Sequence, residues 1–167
     1  MAMMDQKLRS ERLVFYEKDV QRIDEEIDGL LELSGSRCAF LIDRDGHLVT
    51  RRGDAVQNSL ESISALVAGS FAATREMARL LGEDEFATLF HQGGRESIQI
   101  SLVGERALLA MVFDQRTNLG LVRYYAVESV RRLTEILNEI DKREPSAQSG
   151  LSSDFSSSAA AALDRLF

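Results

Sequence analysis

The chain has 167 residues, with 27 acidic and 20 basic side chains and a net charge of −7. That length suits one domain with a tail, and the acidic balance argues against nucleic acid as a partner and against a basic membrane-binding face. A single cysteine, Cys38, allows no disulfide framework, and no apolar run approaches the ~20 residues of a membrane span, so a cytoplasmic protein is expected.

Residues 1–13 are polar and charged, lack an apolar signal core and are expected to form a loose arm. Tyr16, Val20, Ile23, Ile27 and Leu30 then recur at helical spacing, which predicts a first amphipathic helix over residues 15–33, ended by Ser34-Gly35-Ser36. Residues 37–43 read as a strand whose centre, Cys38 to Ile42, is apolar on both faces and must be covered from both sides. Asp45-Gly46 marks a turn, and residues 47–52 return as a more polar edge strand.

Residues 59–81 predict a long helix, with Asn58 as N-cap, Glu61 closing a capping box and Gly82 as the left-handed stop. Leu60, Ile63, Val67, Phe71, Thr74 and Met77 form an apolar stripe on it, and Ala65, Ala68, Gly69, Ala72 and Ala73 form a face of minimal bulk. Gly69 costs roughly 1 kcal/mol against alanine inside a helix, which points to a close-packing role.

Three strands follow, over residues 86–92, 96–103 and 106–113. The middle one alternates Ile98, Ile100 and Leu102 with Ser97, Gln99 and Ser101, so one of its faces is solvated or polar-packed; the last is apolar on both faces. A third helix is expected from Val122 to near Lys142. Residues 14–143 thus make one domain of mixed α/β (α+β) class, ordered helix-strand-strand-helix-strand-strand-strand-helix. The first and fifth strands are central, and the second and third are edges. The middle helix lies alone on one face of the sheet, and the other two helices cover the opposite face. A lone helix with a small-residue face calls for a second copy of the chain. Pairing of third strands across a twofold axis would hide their exposed edge. Residues 144–158, around the single Pro145, read as a Ser-rich linker, and residues 159–167 as a short docking helix anchored by Leu163, Leu166 and Phe167.

Residues that carry chemistry are few. His47 and His91 belong to no metal spacing, Asp43, Asp45 and Asp54 flank a hairpin as solvated turn carboxylates, and no phosphate-cradling loop is present. No catalytic residue, metal or cofactor is expected, and the chain is not expected to be an enzyme on its own.

Several phrases resemble the Roadblock/dynein light chain family: LVAGSFAAT (66–74), LLGE (80–83), FHQGG (90–94), VFDQRTNLGLVR (112–123) and, at the tail, LDRLF (163–167). The resemblance implies a Roadblock-like three-layer α/β/α sandwich with a five-stranded, mainly antiparallel sheet, continued across a homodimer axis. It also implies a GTPase-activating regulator of a small Ras-like GTPase, one per dimer, acting at a cell pole in bacterial polarity and gliding motility. Such a regulator inserts no arginine finger and repositions the catalytic residues of the GTPase itself. Carried onto this sequence, the GTPase contacts are Ser64, Ala68, Phe71, Ala72 and Arg75 with the tail anchors Leu163, Leu166 and Phe167, and the dimer contacts are Ala65, Gly69, Ala73, Thr88 and Phe90. Two alternatives stand beside this reading: a scaffold that binds a GTPase or a polarity or motility complex without changing hydrolysis, and a small-molecule sensor.

Overall fold

A computed structural model of the chain describes residues 13–54 and 60–164, and from residue 144 onward the backbone alone. Helix α1 spans Glu17–Ser34 and begins where the Asp19 carboxylate accepts the Tyr16 backbone N–H at 3.1 Å. It stops at Gly35, whose φ of 71° is left-handed and whose N–H donates to the Leu31 carbonyl. Strands β1 (Cys38–Asp43) and β2 (Leu48–Gly53) form a hairpin, and α2 runs Leu60–Leu80. Strands β3 (Thr88–Gln92), β4 (Ser97–Val103) and β5 (Ala107–Phe113) follow, then α3 (Leu119–Asp164). The Asn118 side chain caps α3, accepting the Leu121 N–H at 3.0 Å.

The sheet order is β2-β1-β5-β4-β3, and every neighbouring pair is antiparallel. The two strands that read as apolar on both faces, β1 and β5, pair at the centre with Phe40 opposite Ala110. Alternation then sends their side chains to two separate cores. Phe40, Ile42, Leu108, Ala110 and Ile100 pack against Val67, Ala68 and Phe71 of α2. On the other face Ala39, Leu41, Leu109 and Met111 pack against Ile23 and Ile27 of α1 and Val122 and Leu133 of α3. The result is the three-layer sandwich with one helix on one face and two on the other.

Two sequence expectations need correction and one is narrowed. Met77 is half exposed, and Ala78 takes the buried place in the α2 stripe. At 100° per residue Ala78 continues the line of Val67, Phe71 and Thr74, whereas Met77 has turned outward. Of the two readings of the polar side of β4, solvated or polar-packed, the packed one holds: Gln99 and Ser101 are buried on the side that α3 covers. Finally, the linker expected over residues 144–158 is helical backbone, since α3 continues through Pro145 to Asp164. Proline costs ~3 kcal/mol inside a helix. Serine only disfavours helix, and extending an existing helix needs no new nucleus, so a composition cue alone does not end one. Asn58, the expected N-cap of α2, and the arm at residues 1–12 lie outside the described residues.

Candidate partner-docking face

Among the described residues helix α2 is covered on one side only. Its inner face buries Ser64, Val67, Ala68, Phe71, Thr74 and Ala78 on the sheet, and the Thr74 hydroxyl turns back to the Phe71 carbonyl at 2.8 Å. Its outer face presents Ala65, Leu66, Gly69, Ala72 and Ala73, all exposed, with Leu66 70% exposed. No ionisable side chain lies between Glu61 and Arg75. Beyond that stretch Met77, Leu80 and Leu81 continue an exposed apolar surface to the helix end. A β-carbon built on Gly69 meets nothing within 4 Å, so no close packing among the described residues accounts for this glycine. Its lack of bulk is available to whatever approaches from outside.

The site residues expected from sequence separate into three groups. Ser64, Ala68 and Phe71 face the sheet with 6% exposure or less, so they support the helix rather than touch a partner. Ala72 and Arg75 are exposed on the outer side, as are Ala65, Gly69 and Ala73. Arg75 lies 3.8 Å from Glu85, which also pairs with Arg44 in the turn of the β1–β2 hairpin. Of the tail anchors, Leu163 lies in the helical backbone of α3, and Leu166 and Phe167 lie outside the described residues. Sequence reasoning missed Leu66 and the outward turn of Met77 and Leu80. A helical projection separates them from the Val67–Phe71–Thr74 line, so the signal was present in their spacing.

Strand β3 borders this face. Among the described residues it pairs only with β4, so its outer edge has no backbone partner among them. Thr88 is exposed on it, whereas Phe90 is half-buried and stacks on Phe113 with ring centroids 6.1 Å apart. The opposite edge strand, β2, is covered on one face by α1: Thr50 donates to Asp24, and Arg52 makes a two-pronged contact with Asp28 at 2.7 Å. Among the described residues both edge strands pair on one side only, but β2 is tied to a helix by side chains, whereas Leu89 of β3 packs against the core under α2.

The polar residues elsewhere serve the fold. The Asp43 carboxylate accepts the N–H groups of Asp45 and His47 at 3.0 and 2.9 Å, and the His47 ring lies 3.1 Å from it, which closes the β1–β2 turn. Cys38 is buried in β1, and burial pushes its thiol above the usual range, away from a reactive thiolate. Among the described residues no helix is long and apolar enough to cross a membrane.

Comparison with known proteins agrees with this geometry. Residues 22–113 match the Roadblock/LC7 domain family. The structure is similar to the gliding protein MglB of Thermus thermophilus, at 35% sequence identity and a TM-score of 0.72, covering 76% of this chain and 96% of that one. It is similar to Myxococcus xanthus MglB at 35% identity and a TM-score of 0.71, covering 77% and 96%. A further structure, of MglB in a tetrameric arrangement, is 34% identical with a TM-score of 0.73, covering 77% and 96%. No curated protein sequence matches. With more than half of its length matched by the family and its fold shared with these relatives, the chain belongs to the Roadblock/LC7 family.

Proposed function

We propose that this protein regulates a small Ras-like GTPase of the MglA type, as a homodimer that accelerates GTP hydrolysis without a catalytic group of its own. The observation that carries the reading is the charge-free, small-residue outer face of α2 beside the open β3 edge, on a chain about one-third identical to two MglB proteins. Two β3 strands pairing across a twofold axis would extend the sheet and bring two α2 helices side by side. The GTPase then docks on a surface made from Ala65, Leu66, Gly69, Ala72 and Ala73 of both copies, with Arg75 at the rim. Such a surface lets a backbone approach closely and supplies no attacking or proton-transferring group. It acts by holding switch segments so that an arginine and a glutamine of the GTPase reach the nucleotide. Positioning an arginine is chemically sufficient, because an arginine at the transferred phosphoryl is worth ~10³ to 10⁵ in rate. The end of the chain, through Leu163, Leu166 and Phe167, supplies a second contact. Cell polarity and gliding motility, from a cell pole, are the setting this reading assigns.

The test is single-turnover GTP hydrolysis by the cognate GTPase with and without excess protein. A rise of ~10-fold or more is expected for an activator of this kind. Binding without any rise would leave the scaffold reading in its place.

A further inference from the structure

The α1/α3 side of the molecule carries a second surface that no described residue covers, on the opposite side of the sheet from α2. Between the two antiparallel helices runs an open groove of about 770 Å³, floored by Gly29 and Leu30 and walled by Leu33, Tyr124 and Val127. Tyr124 and Val127 are each 73% exposed and Leu33 61%, and Leu121 extends the patch. Four large apolar side chains in one exposed strip exceed the scattered single residues expected on a free surface.

The charges around the strip are divided by helix. Helix α1 carries seven acidic and two basic side chains, whereas residues 119–143 of α3 carry four acidic and five basic. Within the protomer Glu26 is taken up by Ser129 and Arg132. Among the described residues Glu32 and Arg123 form no ion pair or hydrogen bond, and Glu25 accepts only the Gln21 amide, at 3.4 Å. An acidic helix beside a nearly balanced one whose first arginine, Arg123, is unpaired among the described residues is self-complementary under a particular operation. A twofold axis parallel to the two helices places α1 of each copy on α3 of the other. Because α1 and α3 run antiparallel, that axis sets the C-terminal end of α1 over the N-terminal end of the facing α3. Glu32 then meets the unpaired Arg123, Leu33 meets Leu121 and Tyr124, and Glu25 comes to Arg131, which within its own helix already pairs with Glu128 and Glu135.

We propose that the α1/α3 face is a self-association surface, occupied by the same face of a second copy in this twofold arrangement. It is separate from the β3 edge and independent of the GTPase reading, because both helices stay outermost when β3 strands pair.

Sedimentation equilibrium of the full chain tests it. Val127→Asp, at a position already exposed, is expected to weaken this association at least tenfold and to halve the largest assembly mass. Tyr124→Ala moves in the same direction, and raised salt weakens the wild-type assembly. The decisive arm uses two chains. Glu25→Arg with Glu32→Arg, and Arg123→Glu with Arg131→Glu, each fail to form the larger assembly alone and regain it when mixed, because every facing pair is then opposite in charge. Circular dichroism confirms that each chain is folded. An unchanged mass for Val127→Asp, or no recovery on mixing, overturns the proposal, and would leave the strip to a different protein.

Discussion

On one side of the sheet a single helix lays Val67, Ala68 and Phe71 against the strands and turns a surface without charge toward solvent from Ser62 to Thr74. On the other side two helices share the work, and they are laced together by polar contacts: Arg22 to Glu139 at 2.7 Å, Ser129 to Glu26 at 2.8 Å and Thr117 to the Ser34 carbonyl at 2.6 Å. The difference separates two ways of finishing a layer. A helix pair fixes its own geometry through side chains that reach across. A lone helix has no second helix to reach for among the described residues, and apart from the turn at Gly46 and the Arg75–Glu85 contact its outer residues are left to solvent. The small, uncharged outer face of α2 and the ion-paired surface of α1 and α3 are the two sequence outcomes.

Substitutions on the inner face of α2 break that side most severely. Phe71→Ala removes a ring that is 2% exposed, and a cost of about 3–5 kcal/mol is expected in chemical denaturation. Ala68→Arg is no test of docking, because it forces an unpaired cation against the sheet and is expected to unfold the chain. Thermal melts of the two variants should both collapse relative to wild type, and a folded Ala68→Arg protein would contradict the inner placement of that residue.

The two-helix side is broken next most strongly at its polar clasp. Asp19 is 1% exposed, takes a 2.5 Å hydrogen bond from Arg143 and accepts the Tyr16 N–H, while the guanidinium lies over the Tyr16 ring. Burial works against this carboxylate, but the Arg143 hydrogen bond, the Tyr16 N–H and the nearby positive charges together hold its pKa below the usual range. Arg143→Gln is expected to cost about 1–3 kcal/mol, since the buried carboxylate loses its charged donor. The sign with pH follows from the depressed pKa. The stabilisation is fully present above the unfolded carboxylate value of about 4 and is lost as pH falls through the folded value. Urea denaturation of wild type and Asp19→Asn should therefore differ at pH 7 and converge in acid.

Smaller effects sharpen the comparison at the hairpin and at the surface. Gly46 holds a φ of 93°, and a β-carbon there would sit 2.9 Å from the Ala65 backbone, so the turn clasps α2 at its first exposed alanine. Gly46→Ala is expected to cost about 2 kcal/mol from the strained backbone and the contact together. The outermost change, Ala72→Arg, should move stability by less than about 0.5 kcal/mol, because the residue is exposed. The same variant is expected to abolish GTPase activation under the proposed function. Unaltered activation by a folded Ala72→Arg protein would take the outer face of α2 out of the docking site.

Periodicity and two-sided apolarity were enough to order the elements along the chain, to put β1 and β5 at the sheet centre and to make β2 and β3 the edges. These are local properties: a strand apolar on both faces has to be covered twice, and alternation or a period of 3.6 shows in adjacent residues. The family was equally legible, because phrases such as VFDQRTNLGLVR are properties of the string. What the string left open was direction. Whether Ala68 or Ala72 looks outward differs by one turn of a helix, and only the packing of Phe71 against Phe40 and Ile100 decides it. The same holds for Gln99, polar by alternation yet buried because α3 crosses above it. The strip made by Leu33, Tyr124 and Val127 joins residues about ninety positions apart, so no local pattern reveals it. Sequence determined which residues are apolar and how they repeat. Tertiary structure decided which of them find a neighbour, since burial depends on what the rest of the chain brings to the same place.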